Sequence, residues 1–123
     1  MSFRLHLARL PAHLDTPRPL LIDDFLTMAK ASKQTCLRAV VEMCADLHQN
    51  GTASRYIKPL GGPLYELKKR ANEGGARVYF FRYGQGFVLV HAECKNESQA
   101  NQSFLLDALD IIEALEGQQP VLD

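Results

Sequence analysis

The sequence predicts one α+β domain: an N-terminal strand and two helices, then an antiparallel sheet of three to four strands, then a C-terminal helix. Three observations predict it. Apolar residues recur at three- and four-residue intervals across residues 32–49 and again across 104–115, the period of helices that bury one stripe. Residues 56–95 instead alternate with a period of two and are cut by short Gly- and Pro-containing turns, the pattern of hairpin-connected strands. Finally, 123 residues with 46% hydrophobic and 23% charged content fit one core rather than two, so residues 1–123 are read as a single domain.

The elements follow in order. "SFRLHLARL" sets Phe3, Leu5 and Leu7 against Arg4 and His6, as in a half-buried strand. Pro11 ends it, and "HLDTPRP" reads as loop because its prolines lack donors and restrict the residues before them. "LLIDDFLTMAKA" reads as a short helix, with Asp23 and Asp24 favouring its first turn. From Ser32 a second helix aligns Leu37, Val40, Val41, Cys44 and Leu47, while Lys33, Arg38, Glu42 and Asp46 face away, and Asn50-Gly51 stops it.

After the loop "GTASR", "YIKPL" is extended, "GGP" is a turn and "PLYELKKR" is a strand. "ANEGG" turns into the strand "ARVYFFRY", and "GQG" turns into "FVLVHAECK". Turns this short make antiparallel neighbours. The last helix, about residues 98–116, aligns Phe104, Leu105, Ala108, Leu109, Ile112 and Leu115, with Gly117 and Pro120 beyond its end. The helices are expected to pack on the sheet and leave a face of it uncovered.

Formal net charge is zero, which gives no bulk reason to expect a nucleic-acid binder. The distribution is uneven, however. Residues 55–95 carry Arg55, Lys58, Lys68, Lys69, Arg70, Arg77, Arg82 and Lys95 against Glu66, Glu73 and Glu93. Residues 96–123 carry Glu97, Asp107, Asp110, Glu113, Glu116 and Asp123 and no Lys or Arg. The chain therefore has a basic middle and an acidic tail.

Alternation places Glu66, Lys68 and Arg70 on one strand face, Arg77, Tyr79, Phe81 and Tyr83 on another, and His91, Glu93 and Lys95 on a third. If register joins these sets, Lys68, Arg77, His91 and Lys95 share a surface with aromatic rings. Cations for phosphates beside rings for bases are what single-stranded RNA recognition needs. By pattern alone the same residues more often mean something plainer: Lys68, Lys69 and Arg70 a solvated strand end, Tyr79, Phe81 and Tyr83 cross-strand packing, His91 a satisfied structural histidine.

Several chemistries lack their motifs. The four histidines show no metal-ligand spacing with one another or with cysteine pairs, so neither a metal nor another cofactor is expected. "GGPLYELKK" lacks the order of a phosphate-binding loop, no serine sits in a G-x-S-x-G elbow, and no cysteine lies in a recognisable nucleophile motif. Cys36, Cys44 and Cys94 read as reduced core residues rather than a disulfide framework. With no signal-like segment and no long apolar run, the expected setting is the cytoplasm, with no membrane partner.

The run "YIKPLGGPLYELKKR", followed by "ARVYFFRY", "VLVHAECKN" and "FLLDALDIIEAL", resembles the RelE/ParE toxin superfamily, and within it the HigB-like, phage-derived branch. The resemblance spans roughly residues 56–112 and rests on the order and spacing of the pieces. It implies a compact RelE-like fold and the toxin of a type II toxin–antitoxin system, an endoribonuclease that cleaves mRNA on the ribosome by attack of the 2′-hydroxyl on the adjacent phosphate. It also implies silencing by a paired antitoxin of helix-turn-helix type. Carried over by position, Lys68, Arg77 and Lys95 take catalytic places, Arg77 foremost because its fixed planar charge suits phosphate. Lys58, Lys69, Arg70, Tyr79 and His91 are the expected RNA contacts. Arg77→Ala is then expected to abolish activity without unfolding the chain. Where relatives continue with a second lysine and a basic stretch, this chain has Asn96, Glu97, Ser98, Gln99 and Ala100. That departure motivates an alternative, a catalytically weakened RelE-fold protein acting as a protein-interaction module.

Overall fold

The computed structural model describes residues 2–9, 20–97 and 99–123. Its elements are β1 (Leu5–Leu7), α1 (Asp23–Ser32), α2 (Gln34–Asn50), a 3-10 turn (Gly51–Ala53), β2 (Ile57–Gly61), β3 (Leu64–Ala71), β4 (Gly74–Tyr83), β5 (Gly86–Lys95) and α3 (Gln102–Glu116). The expected loop over 13–19 and Ser98 lie outside the described residues, while the last helix, expected from about 98, begins at Gln102 because the Asn101 side chain caps it there.

The strands form one five-stranded sheet in the order β1-β5-β4-β3-β2. Neighbours from β2 to β5 are antiparallel, as their tight turns require. The sheet is larger than the expected three to four strands and is mixed, because β1 adds a fifth strand parallel to β5 through Leu5–Phe87, His6–Val88 and Leu7–Leu89. No turn joins these two strands; the helices and β2–β4 supply the long crossover that a parallel pair needs. Gly86 permits the approach, since a Cβ there would stand 2.2 Å from the Arg4 carbonyl oxygen.

On one face α1 and α2 bury Phe25, Ala29, Cys36, Ala39, Val40, Met43 and Leu47 against Leu67, Val78, Phe80, Phe87 and Leu89. The Glu73 carboxylate holds the start of α2, accepting from the backbone N–H of Thr35 at 2.9 Å and of Cys36 at 3.1 Å and from the Thr35 hydroxyl. Gly51 ends α2 at φ 57°, where a Cβ would also meet the Phe3 ring.

Two expectations about the core need correction. Cys36 and Cys94 are buried, as expected, but they form a disulfide (S–S 1.98 Å) that joins the start of α2 to the end of β5, leaving Cys44 as the free thiol. Residues 58 apart in sequence become neighbours only through the fold, so spacing could not announce the pair. The second sheet face, expected to be uncovered, is half covered by α3, whose Ala108, Ile111 and Ala114 pack on Phe81, Val88 and Val90. Alanines at 108 and 114 let α3 sit close to the sheet, and the helix is rotated from the expected stripe, so Leu109 points outward at 44% exposure.

A β-bulge completes the arrangement. Tyr79 pairs with His91 but Phe80 pairs with Leu89, so Val90 is an extra residue in β5. The extra residue shifts the alternation. Val88 and Val90 face α3, and His91, Glu93 and Lys95 then face the same way.

Candidate functional site

Beyond the covering helix, the second sheet face carries three cross-strand rows. Glu66, Tyr79 and His91 form the first, Lys68, Arg77 and Glu93 the second, and Arg70, Gly75 and Lys95 the third. Register therefore joins the three alternating sets on one face. Directly opposed residues lie about 4.5–5.5 Å apart at Cβ, so each row is a set of interacting side chains.

Most side chains of the first two rows are partnered, Lys68 being the exception among the described residues. Arg77 is 1% exposed, and its Nη1 donates to the wholly buried Glu66 carboxylate at 3.2 Å. Its Nη2 donates to the Glu97 carbonyl at 2.8 Å, which ties the segment after β5 down over the guanidinium. Glu66 Oε1 and Arg77 Nε find no partner among the described residues. The Tyr79 hydroxyl donates to Glu93 Oε2 and accepts from the Asn101 N–H at 3.1 Å. Burial, reinforced by the Glu93 hydrogen bond, pushes the Tyr79 hydroxyl well above its ordinary pKa. Lys95 Nζ lies 3.4 Å from Glu93 Oε2. His91 is held by Asp107 at 2.8 Å and stacked on Phe104 with ring centroids 3.9 Å apart.

The third row is open. Gly75 has no side chain, so its position between Arg70 and Lys95 is a gap in the sheet surface. The Lys68 Cε lies 3.9 Å from where a Gly75 Cβ would stand, so its aliphatic stem leans over that gap. Lys68 and Arg70 are exposed and make no ion pair among the described residues. Register thus sets Arg70 and Lys95 on either side of a side-chain-free patch of backbone, with Lys68 leaning over it and Lys95 also near Glu93. Such a cup can hold a phosphate-sized anion against Lys68, Arg70 and Lys95.

The candidate residues separate accordingly. Lys68, Arg70, Arg77 and Lys95 come together, with Arg77 buried and the other three beside Gly75. Lys58 is exposed on the edge strand β2, opposite Glu66 and on the same face. Lys69 lies on the other face, 2.6 Å from Glu42 of α2 and over the Tyr56 ring. Tyr79 is 1% exposed and His91 is covered by Phe104, so neither ring presents a free stacking face. Sequence reasoning missed Glu66 and Glu93 as the partners of the cations, Asn101 as the residue that caps α3 and reaches Glu93, and Gly75 as the gap. Glu66 and Glu93 were visible in the alternation, beside Lys68 and Lys95 on their strand faces; nothing local marked Asn101 or Gly75.

Among the described residues, no group of three or more His, Cys, Asp or Glu side chains is arranged to hold a metal ion. No helix among them is long and apolar enough to cross a membrane. The family model described as phage derived protein Gp49-like (DUF891) matches residues 23–113, from the start of α1 to within the last turn of α3. No curated protein and no solved structure matches the chain.

Proposed function

The chain belongs to the Gp49-like family of phage-derived proteins, which are RelE-like and toxin-like, and from that premise we propose that it is the toxin of a type II toxin–antitoxin pair. In this reading it lies in the HigB-like branch, cleaves mRNA on the ribosome, and is silenced by a helix-turn-helix antitoxin. The observation that carries the reading is the row of Arg70, Gly75 and Lys95 with Lys68 leaning over it, where Lys68 and Arg70 are exposed and make no ion pair among the described residues.

The chemistry asks little of the protein beyond position and charge. The 2′-oxygen bonds to the adjacent phosphorus as the P–O5′ bond breaks, leaving a 2′,3′-cyclic phosphate. The 2′-hydroxyl proton passes to water and the departing 5′-oxygen takes one up. Negative charge grows on the non-bridging oxygens, where Lys68 and Lys95 oppose it. Arg77 supports this from the neighbouring row, where its bonds to Glu66 and to the Glu97 carbonyl hold β3, β4 and the segment after β5 together.

A second reading is favoured by one specific observation. The guanidinium expected to meet phosphate is sealed by Glu66 and Glu97, which fits a weakened enzyme that works as a protein-interaction module. One experiment separates the two. Purified protein is added to ribosomes translating a defined mRNA, and new RNA ends are mapped for the wild type and Lys68→Ala. The toxin reading expects cleavage that drops at least tenfold in Lys68→Ala. Absence of cleavage by folded protein, together with stable capture of a protein partner, supports the module.

A further inference from the structure

The outer face of α3 carries apolar residues that the fold does not use. Leu106 is 62% and Leu109 44% exposed, and Leu109 adjoins the half-buried Ile112, which lines a groove of about 230 Å³ reaching Tyr83. Single exposed leucines are ordinary, but a connected apolar strip bordered by charge marks a contact surface. On the helix the border is anionic, since Asp110, Glu113 and Glu116 are exposed on it and residues 96–123 hold no Lys or Arg, while Arg82 of β4 lines the far side of the groove.

A complementary surface exists on the same molecule. Where α1 meets α2, a shallow groove of about 440 Å³ is lined by Lys30, Leu37, Arg38 and Val41, with Val41 61% exposed. Its border is cationic, and the nearest carboxylate on that helix, Glu42, is already held by Lys69. The two surfaces match in kind, an apolar strip with acidic flanks and an apolar strip with basic flanks. They cannot meet within one molecule, because α1 and α2 pack on one face of the sheet and α3 on the other.

We propose that the outer face of α3 docks on the α1–α2 groove of a second copy of this chain, head to tail. Charge selects this geometry over the symmetric one, since pairing α3 with α3 would set Asp110, Glu113 and Glu116 against their own copies. The same charge repels nucleic acid and anionic membranes from α3. Each strip is only a few residues long, so the contact falls at the small, weak end of specific interfaces and depends on concentration. A heterologous contact leaves one free end of each kind, so association proceeds beyond a dimer unless the rotation closes a ring. The inference is independent of the RNA reading, because neither surface includes the cation cup.

Sedimentation velocity of the full chain across a wide concentration range, at low and high salt, tests it. The expected result is an average mass that rises above the 13.8 kDa monomer with concentration and falls back in high salt. Leu106→Ser with Leu109→Ser, or Val41→Ser alone, should weaken association at least tenfold while circular dichroism stays unchanged. Charge exchange is the decisive arm. Asp110→Lys with Glu113→Lys gives a chain with two basic surfaces, and Lys30→Glu with Arg38→Glu gives one with two acidic surfaces. Each should be monomeric alone, and an equimolar mixture should associate. A wild type that stays monomeric throughout, a mixture that does not associate, or self-association that survives both charge exchanges would overturn the proposal.

Discussion

Replacing Arg77 should damage the fold before it reports on any reaction. Arg77 and Glu66 are 1% and 0% exposed, 3.2 Å apart, and set between β3 and β4 in the middle of the sheet. Arg77→Ala leaves the Glu66 carboxylate buried without its counter-charge, a change that costs about 3–5 kcal/mol. Losing the hydrogen bond to the Glu97 carbonyl adds about 1 kcal/mol. Domains of this size have only about 5–15 kcal/mol in total. With a urea m-value of about 1.5 kcal/mol per molar, the combined cost of about 4–6 kcal/mol should lower the unfolding midpoint by roughly 3–4 M. The pair is also imperfect, because Glu66 Oε1 and Arg77 Nε have no partner among the described residues. Arg77→Met combined with Glu66→Met removes both charges and both orphaned atoms, and should therefore return stability to within about 1 kcal/mol of wild type or above it. Urea titration followed by circular dichroism measures all three proteins. An Arg77→Ala cost below about 1 kcal/mol would refute the reasoning, since that is the cost of a solvated ion pair. The sequence-based expectation that Arg77→Ala spares the fold is thereby reversed.

Three further outcomes follow from other parts of the fold. Reducing Cys36–Cys94 frees a loop spanned by 58 positions, and chain entropy puts the loss near roughly 4 kcal/mol, so a dithiol reductant should lower the melting temperature of wild type but not of Cys36→Ala with Cys94→Ala. The Glu73 carboxyl is held below its ordinary 4.5 by the Thr35 hydroxyl and the N–H groups of Cys36 and Thr35. Its stabilisation is present above about pH 4.5 and lost as pH falls through the lower folded value, so Glu73→Gln should flatten the acid-side decline in a melting-temperature series from pH 6 to pH 3. Burial pushes the Cys44 thiol up to about 11, so iodoacetamide at pH 8 should label it far more slowly in the native protein than in urea, with mass spectrometry reporting the difference.

Local periodicity made most of the elements legible. The stop of α2 at Asn50-Gly51 and the hairpins through β5 are found where the turn residues put them, within a few positions, whereas the buried stripe of α2 runs through Cys36, Ala39, Val40, Met43 and Leu47 and leaves the expected Val41 61% exposed. Even the shared face of Lys68, Arg77 and Lys95 follows from counting every second residue. The losses occur where distant segments meet. The parallel pairing of β1 depends on Gly86 admitting the Arg4 carbonyl, the disulfide depends on α2 lying across the end of β5, and the burial of Arg77 depends on the path after Lys95. Alternation also assumes an unbroken strand, whereas the extra residue Val90 changes which side chains of β5 share a face. The rotation of α3 was hidden for a related reason: alanines 108 and 114 are weak hydrophobic signals yet define the closest packing, leaving Leu106 and Leu109 outside.

In the proposed function the cations around Gly75 act on RNA. The most direct measurement induces the chain alone in growing bacteria and maps RNA 5′ ends across the transcriptome, for wild type and for Lys68→Ala with Arg70→Ala, both changes on exposed side chains that leave the buried network intact. Wild type should arrest growth and produce new 5′-hydroxyl ends inside translated messages, and the variant should lose both at equal soluble protein level. Unchanged growth and unchanged RNA ends with abundant folded wild-type protein, or cleavage that persists undiminished in the variant, would contradict the proposed function.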